Sequence, residues 1–171
     1  MAPSPSRPQL VAVDANVLFD LAAGVEAVVD SVSLIKERLW KVGFLIPPTA
    51  QHELANWATQ GDSASKRKAA REAIQTAALW GITPANLTAV SLGIAERIAL
   101  RLRELALLPE EELRDSFILA ESALLDCSIL LTSDQHLRGV DFERLSFELQ
   151  SLDVAVPLIA TPREIVRKFF P

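Results

Sequence analysis

The stretch LVAVDANVLFDLA, residues 10–22, carries the strongest indication of the fold. Its first half is short, apolar and rich in β-branched residues, which is typical of a strand buried on both faces. The strand ends on Asp14, and an apolar, helix-like stretch containing Asp20 follows. Asp14 could cap that helix as a turn residue, or it could be one ligand of a metal site whose other members lie far along the chain.

Length and composition indicate one globular domain. The chain has 171 residues, half of them apolar, which excludes an intrinsically disordered protein. No apolar run approaches the ~20 residues of a membrane-spanning helix. The first nine residues lack the apolar core of a signal peptide and are expected to be a frayed tail, with a single domain over residues 10–171.

Charge and cysteine content restrict the possible functions further. The formal net charge of -5 argues against a protein that coats nucleic acid through a global positive field, although it allows a local basic strip beside an acidic centre. Cys127 is the only cysteine, so no intrachain disulfide can form, and a reducing cytoplasm is the simplest setting. We expect Cys127 to be a small buried residue. His52 and His136 lack the partner spacing of a zinc site and are expected to make surface or substrate contacts.

Predicted strands and helices alternate along the chain, which favours an α/β fold with a mostly parallel sheet of four to five short strands flanked by helices. The helix-rich middle, residues 61–109, is either an insertion or a subdomain within the domain. Pro157 places the last strand at an edge of the sheet. Thr49 is positioned to cap the helix predicted over residues 50–60. The predicted strands are 10–14, 43–48, 128–134 and 154–160, and the predicted helices are 19–41, 50–60, 62–81, 83–108, 110–126 and 161–170.

Four acidic residues from separate segments are predicted to converge at one edge of this sheet. Asp14 and Asp134 each end a strand, and ligands of parallel sheets bind beyond the carboxyl ends of the strands. Glu53 lies in the first turns of the helix after the second strand. Asp115 begins the helix that leads into the LLTSD strand, and a right-handed crossover brings the start of that helix to the same edge.

Crowded carboxylates repel one another unless a cation neutralises them. Because all the ligands would be oxygens, the pattern favours Mg²⁺ or Mn²⁺, ions that bind phosphate substrates and activate water. Each acid also has a structural interpretation: Glu53 as a solvated helix residue, Asp115 as a first-turn residue that favours the helix dipole, and Asp134 as a turn residue. Asp20 and Glu121 are outside candidates, which we expect to be solvated or ion-paired instead.

Three blocks of the sequence resemble the signature blocks of PIN-domain ribonucleases: VDANVL, PPTAQHEL and DSFILAESALLDCSILLTSDQHL. The later VPLIATPREIV is similar to the final strand and Pro-led helix of that family. The resemblance covers residues 10–60 and 110–168, whereas residues 61–109 match only as helices. Asp126 differs from the family, whose members often carry a small residue or glycine at this position.

The resemblance implies hydrolysis of RNA phosphodiester bonds by water activated by a divalent metal. Its catalytic and metal-binding acids correspond to Asp14, Glu53, Asp115 and Asp134. Asn16 and Thr132 correspond to residues that orient these carboxylates through hydrogen bonds. An antitoxin-type protein partner and a homodimer are further expectations, although the chain is longer than the compact bacterial toxin members.

Two further features concern substrate binding. The run KRKAAR places Lys66, Arg67, Lys68 and Arg71 on little more than one helical turn, either as a solvated face or as a strip that binds RNA phosphates and that Arg97, Arg101 and Arg103 could extend. The three tryptophans lie at apolar helix positions and are expected to pack in the core or at an interface rather than to stack on bases. They are Trp40, Trp57 and Trp80.

Two alternative functions belong to other classes. A catalytically inactive PIN-like module would bind RNA or protein, and apolar helices such as 19–41 and 85–108 could then form dimer faces. A receiver-type phosphoacceptor switch would share an acid after the first strand. The sequence lacks the paired acids and the lysine that such a switch requires, since the first site reads VDAN and the last strand reads VAVPLIATP.

Overall fold

The computed structural model describes residues 7–169. Within this range five strands form one sheet in the order β3-β2-β1-β4-β5, and every neighbouring pair is parallel. The predicted α/β fold with a parallel sheet is therefore confirmed. The strands are β1 (Gln9–Val13), β2 (Val42–Ile46), β3 (Ile82–Pro84), β4 (Cys127–Leu131) and β5 (Leu158–Ala160).

Helices flank the sheet, as expected when each strand is joined to the next by a helical crossover. The helices are α1 (Ala15–Ala22), α2 (Glu26–Arg38), α3 (Pro48–Gln60), α4 (Ala64–Leu79), α5 (Ala89–Glu104), α6 (Leu113–Leu124), α7 (Gln135–Arg138), α8 (Phe142–Ser151) and α9 (Pro162–Phe169).

Strand β1 lies at the centre of the sheet and of the core. Val11, Ala12 and Val13 have no exposed surface, which explains why this strand is apolar on both faces. The chain builds outward from β1 through β2 to β3, and then crosses to the other side of β1 to form β4 and β5. The strand order therefore reverses between β1 and β4, and a crevice opens at the carboxyl ends of strands at such a switch point.

The predicted helix over residues 19–41 is wrong, because the segment forms two helices. Helix α1 already begins at Ala15, and α2 ends at Arg38. Gly24 separates them with a φ of 70°, a left-handed conformation that most residues avoid and glycine adopts readily. The continuous spacing of apolar residues hid this break, since both helices bury one apolar face in the same core.

The middle segment contains a strand that the sequence analysis did not predict. Strand β3 begins at Ile82, directly after Gly81 ends the preceding helix, and it pairs with β2. The helix predicted from residue 83 accordingly starts only at Ala89, where the Thr88 hydroxyl accepts a hydrogen bond from Ser91 N. Strand β3 has three residues and ends on a proline, so its sequence carries little strand signal.

The end of the chain also departs from the predictions. Residues 135–153 contain α7 and α8, two helices that the sequence did not predict. The last strand, predicted over residues 154–160, is shorter and consists of β5 alone. Its edge position, predicted from Pro157, is confirmed by the strand order. Thr49 does not cap α3 as predicted, because Pro47 occupies the capping position and Thr49 lies inside the helix.

Asp126 ends α6 in the left-handed conformation, with a φ of 59°. This is the position where the resembled family often carries a small residue or glycine, and aspartate is one of the few residues other than glycine that tolerate a left-handed conformation.

The predicted tail, residues 1–9, falls mainly outside the described residues, yet Gln9 already belongs to β1 and pairs with Val42. Phe170, in the predicted last helix, also lies outside them. Of the helices in residues 7–169, none has the length and apolar character needed to cross a membrane.

Candidate metal centre

The four acids predicted from the sequence line one cleft of about 500 Å³ at the carboxyl edge of the sheet. Asp14 directly follows β1, and Asp134 lies three residues beyond β4, on the two sides of the switch point. Glu53 is carried by α3, and Asp115 by the first turn of α6. The fold thus brings together side chains that are up to 120 residues apart in the sequence.

Asp14 is buried and held by three hydrogen-bond donors. Its Oδ1 accepts from the Ala15 backbone N–H at 2.7 Å. Its Oδ2 accepts from the Thr132 hydroxyl at 2.7 Å and from Asn16 Nδ2 at 3.0 Å. Asp14 therefore caps α1 and lines the cleft at the same time, so the two interpretations suggested by the sequence do not exclude each other.

Asn16 and Thr132 connect the two strand ends that meet at the switch point. Asn16 Oδ1 accepts from the Ser133 backbone N–H at 3.1 Å, while its amide nitrogen donates to Asp14. Thr132 Oγ1 accepts from Asp134 N at 3.0 Å and donates its proton to Asp14. These contacts fix the orientation of the Asp14 carboxylate and the path of the chain toward Asp134.

Asp134 also caps a helix. Its Oδ1 accepts from the backbone N–H groups of His136 at 2.7 Å and Leu137 at 3.2 Å, at the start of α7. Both donors bind the same oxygen, so the other carboxylate oxygen is left for the cleft. On the opposite wall, Glu53 Oε1 accepts from Arg114 Nη1 at 3.2 Å.

Asp115 is the acid whose surroundings are least complete. It is buried, and its Oδ2 has no hydrogen-bond partner among the described residues. Burial, followed by the negative charge of Asp134, raises the pKa of Asp115 to about 8. A buried oxygen without a donor is costly to keep, and a bound cation would satisfy it.

Burial is also the main reason that the pKa of Asp14 is raised from 3.8 to about 6. The hydrogen bonds from Thr132 and Ala15 oppose this shift, while the charges of Glu53 and Asp134 add to it. A divalent cation would offset both the cost of burying these carboxylates in their charged form and the repulsion between them. The oxygen donors suit Mg²⁺ or Mn²⁺. The residues present therefore fit the predicted ion.

Three cleft residues were not singled out from the sequence. Glu111, Glu112 and Arg114 line the cleft just before Asp115. They belong to the run EEELRD. From the sequence, Glu111 and Glu112 were considered only as alternatives to Asp115 for the acid in the first turn of the helix. His136 was expected to make a surface or substrate contact. In the structure its Nδ1 lies 2.9 Å from Glu112 Oε1, a contact within the protein that the sequence did not predict. The sequence did contain an indication of this position, because His136 follows the site residue Asp134 by only two residues.

The predicted basic strip lies on α4, and none of its four residues is among the described residues that line the cleft. Lys66 pairs with Asp62 at 3.3 Å, and Lys68 pairs with Glu72 at 3.6 Å. Arg67 donates to the Gly61 carbonyl at 2.6 Å. These contacts are those of a solvated helix face, and such exposed pairs are weak enough to be exchanged for other partners.

The other basic residues suggested as an extension of the strip are partly engaged elsewhere. Arg101 pairs with Glu148 at 2.8 Å, and Arg103 donates to the Ser116 hydroxyl. Arg97 lines a separate surface groove on α5.

Glu121 is buried rather than solvated, which corrects the expectation for this residue. Its carboxylate accepts from Thr49 N at 2.9 Å and from the Thr49 hydroxyl at 2.7 Å, so it satisfies the start of α3. The interpretation of Asp20 as part of the acid cluster is not supported, since Asp20 lines a different groove beside Arg138 and Arg163.

The remaining predictions concern packing. Cys127 is buried, as predicted, and burial raises the pKa of its thiol to about 12. Trp57 packs against Phe19 with ring centroids 5.1 Å apart, and Trp80 is half-buried against the core. Trp40 is 72% exposed in the loop before β2, so it does not pack in the core, and packing at an interface stays a prediction for this residue.

The sheet order, the flanking helices and the acids at the switch point define a PIN-like fold. One solved structure with this fold is a chain in the crystal structure of VapBC2 from Rickettsia felis bound to a DNA fragment from their promoter. The TM-score is 0.60 at 9% sequence identity, and the match covers 90% of this chain and 98% of that chain. No family model matches the sequence, and no curated protein matches it. At this identity the likeness establishes the fold alone.

Proposed function

We propose that this chain is a divalent-metal-dependent endoribonuclease that hydrolyses phosphodiester bonds of RNA. The observation that supports this most is the meeting of Asp14, Glu53, Asp115 and Asp134 in one cleft, where a buried oxygen of Asp115 has no hydrogen-bond partner within residues 7–169. Acids crowded in this way at a switch point are costly for folding, and a bound cation is the simplest compensation. The PIN-like fold is consistent with the same activity.

In this proposal the four carboxylates hold Mg²⁺ or Mn²⁺. When bound, such an ion supplies Lewis-acid chemistry: it lowers the pKa of a water molecule and stabilises negative charge on the phosphodiester. Asp14 and Asp134 are already oriented by their hydrogen bonds to Thr132 and to the start of α7, so little side-chain entropy is lost on binding. Asn16 and Thr132 act as positioning residues for Asp14.

Glu53 and Asp115 would complete the charge needed by the ion. Glu53 is held by Arg114, whose guanidinium is the sole basic side chain among the described residues that line the cleft. Arg114 is 65% exposed, so it can move from Glu53 toward a phosphate group of the substrate without losing packing.

Binding of RNA beyond the cleft requires positive charge, because the cleft itself repels phosphate. We assign this role to the basic strip of α4, Lys66, Arg67, Lys68 and Arg71. The exposed ion pairs of the strip can be exchanged for RNA phosphates at little cost.

A protein partner of the antitoxin type and a homodimer are also part of the proposal. The matched structure is itself a VapBC2 complex bound to DNA. The receiver-type alternative is disfavoured by the strand order, since the order observed here, 3-2-1-4-5, differs from the 2-1-3-4-5 order of receiver domains.

The experiment that tests this proposal compares two Asp→Asn variants of the same helix region. Asp14→Asn should abolish Mg²⁺- or Mn²⁺-dependent cleavage of a mixed RNA substrate. Asp20→Asn, within helix α1 that Asp14 caps but outside the cleft, should cleave as the wild type does. Undiminished cleavage by Asp14→Asn would overturn the assignment. RNA binding by the wild type without cleavage in either metal would instead identify an inactive PIN-like binding module.

A further inference from the structure

A second group of potential metal ligands lies beside the four-acid cleft and includes a histidine. Glu112, Asp115 and His136 each offer one ligand atom, and these three atoms lie within 4.8 Å of one another. Glu112 and Asp115 come from the start of α6, and His136 comes from α7. The group therefore forms where the beginnings of two helices meet.

The distances within this group fit a shared cation. His136 Nδ1 lies 2.9 Å from Glu112 Oε1 and 4.0 Å from Asp115 Oδ2. With ligand bonds of ~2.1 Å, neighbouring ligands of an octahedral ion are separated by ~3.0 Å and opposite ligands by ~4.2 Å. Both observed separations fall close to these values, so the two ligand pairs that include His136 match the geometry around one octahedral ion.

The unpartnered oxygen of Asp115 is directed into this group. Oδ2 is the oxygen that faces the imidazole, and it is also the buried atom that lacks a hydrogen-bond partner among residues 7–169. An ion pair between His136 and Glu112 alone would leave that oxygen unsatisfied. A cation that binds all three ligand atoms satisfies it.

We infer that Glu112, Asp115 and His136 form a second cation position, distinct from the one held by Asp14, and that it takes a first-row transition metal ion such as Mn²⁺. The imidazole determines this preference, because Mg²⁺ favours oxygen ligands whereas transition metals accept nitrogen readily. Asp115 belongs to both positions and can bridge them. Half of the His136 side chain is exposed, which leaves the remaining coordination sites to water.

This inference concerns cation binding and does not depend on RNA cleavage. The test is a titration with Mn²⁺ in the presence of excess Mg²⁺. Calorimetry measures the Mn²⁺ affinity, and electron paramagnetic resonance identifies the ligands of the bound ion. Bound Mn²⁺ should show spin-echo modulation from a directly coordinated imidazole nitrogen.

The informative variants exchange histidine for glutamine at two sites. His136→Gln should lose the nitrogen modulation and bind Mn²⁺ at least ~10-fold more weakly, since even the loss of a residue that supports a ligand costs ~10–100-fold. His52→Gln, on α3 and outside the group, should retain both. Glu112→Gln should weaken Mn²⁺ binding as His136→Gln does, and circular dichroism should show that all three variants are folded.

Absence of nitrogen modulation in the wild type, or its persistence in His136→Gln, would overturn the inference. Asp14→Asn separates the two proposals. It should retain the modulation while losing RNA cleavage. If the modulation is absent but the wild type still cleaves RNA, the second cation position is wrong and the proposed function stands.

Discussion

Two buried carboxylates on helix α6 have opposite surroundings. Glu121 is 2% exposed, and each of its oxygens accepts a hydrogen bond from Thr49. Asp115, six residues earlier, is 9% exposed, yet its Oδ2 has no partner among the described residues. One helix thus carries one satisfied acid and one unsatisfied acid, although both are removed from water.

The difference separates a structural acid from an acid that we propose binds metal. Glu121 places negative charge at the start of α3, where the free N–H groups and the helix dipole favour it, and it thereby joins two helices. Asp115 faces Asp134, Asp14 and Glu112, whose charges add to its burial in raising its pKa. An arrangement that costs stability without a compensating contact is expected at functional sites.

The largest expected effect comes from replacing each of the two acids by its amide. Asp115→Asn should reduce metal-dependent RNA cleavage by ~10³-fold or more, the upper range for removing one group that stabilises charge in a transition state. It should not lower the melting temperature of the metal-free protein, because the carboxyl that it replaces has an oxygen, Oδ2, with no hydrogen-bond partner among residues 7–169. Single-turnover cleavage and thermal unfolding in chelator measure the two effects.

Glu121→Gln is the matched control on the same helix. It should retain cleavage per folded molecule, since Glu121 does not line the cleft. Equal losses of cleavage in both variants would contradict the distinction between the two acids.

The second prediction concerns pH. A native carboxyl with a raised pKa stays protonated after the unfolded chain has released its proton, so the free energy of unfolding falls as pH rises. For Asp14 this loss begins near 3.8 and is complete above about 6, and for Asp115 it continues to about 8. The shift of Asp14 alone corresponds to about 3 kcal/mol. Metal-free protein should therefore unfold more easily at pH 8 than at pH 5.

Divalent metal should reverse this trend. Mg²⁺ or Mn²⁺ binds the ionised acids of the native state, so it should raise the melting temperature more at pH 8 than at pH 5. Asp115→Asn should flatten the decline of the metal-free protein between pH 6 and pH 8. A metal-free wild type that becomes more stable over this range, with a slope that Asp115→Asn leaves unchanged, would contradict the pKa directions given above.

Much of the fold follows from the sequence because its strongest signals are local. The strands β1, β2 and β4 are apolar runs bounded by proline or acids, and Pro157 marks the edge strand. Strand β3 and the break at Gly24 were missed, since a three-residue strand has almost no pattern and one glycine interrupts a continuous apolar face.

The candidate site was predictable to the extent that topology determines it. Strand ends and helix starts of a parallel sheet share one edge, which was sufficient to bring Asp14, Glu53, Asp115 and Asp134 together. The sequence placed Asp115 in the site and Glu121 outside it, but it could not show that Glu121 is buried and satisfied, because that depends on a contact with Thr49, which is 72 residues from Glu121.

The smallest predicted effect tests the structural side of the comparison. Glu121→Ala should lower the free energy of unfolding by about 2 kcal/mol, since it leaves the Thr49 N–H without its acceptor. For a chain of this length that corresponds to ~4–8 °C in melting temperature. Glu121→Gln should cost less, because its amide can still accept from Thr49. If Glu121→Ala melts like the wild type, then the buried contact between α6 and α3 contributes no stability, and Glu121 no longer serves as the structural counterpart of Asp115.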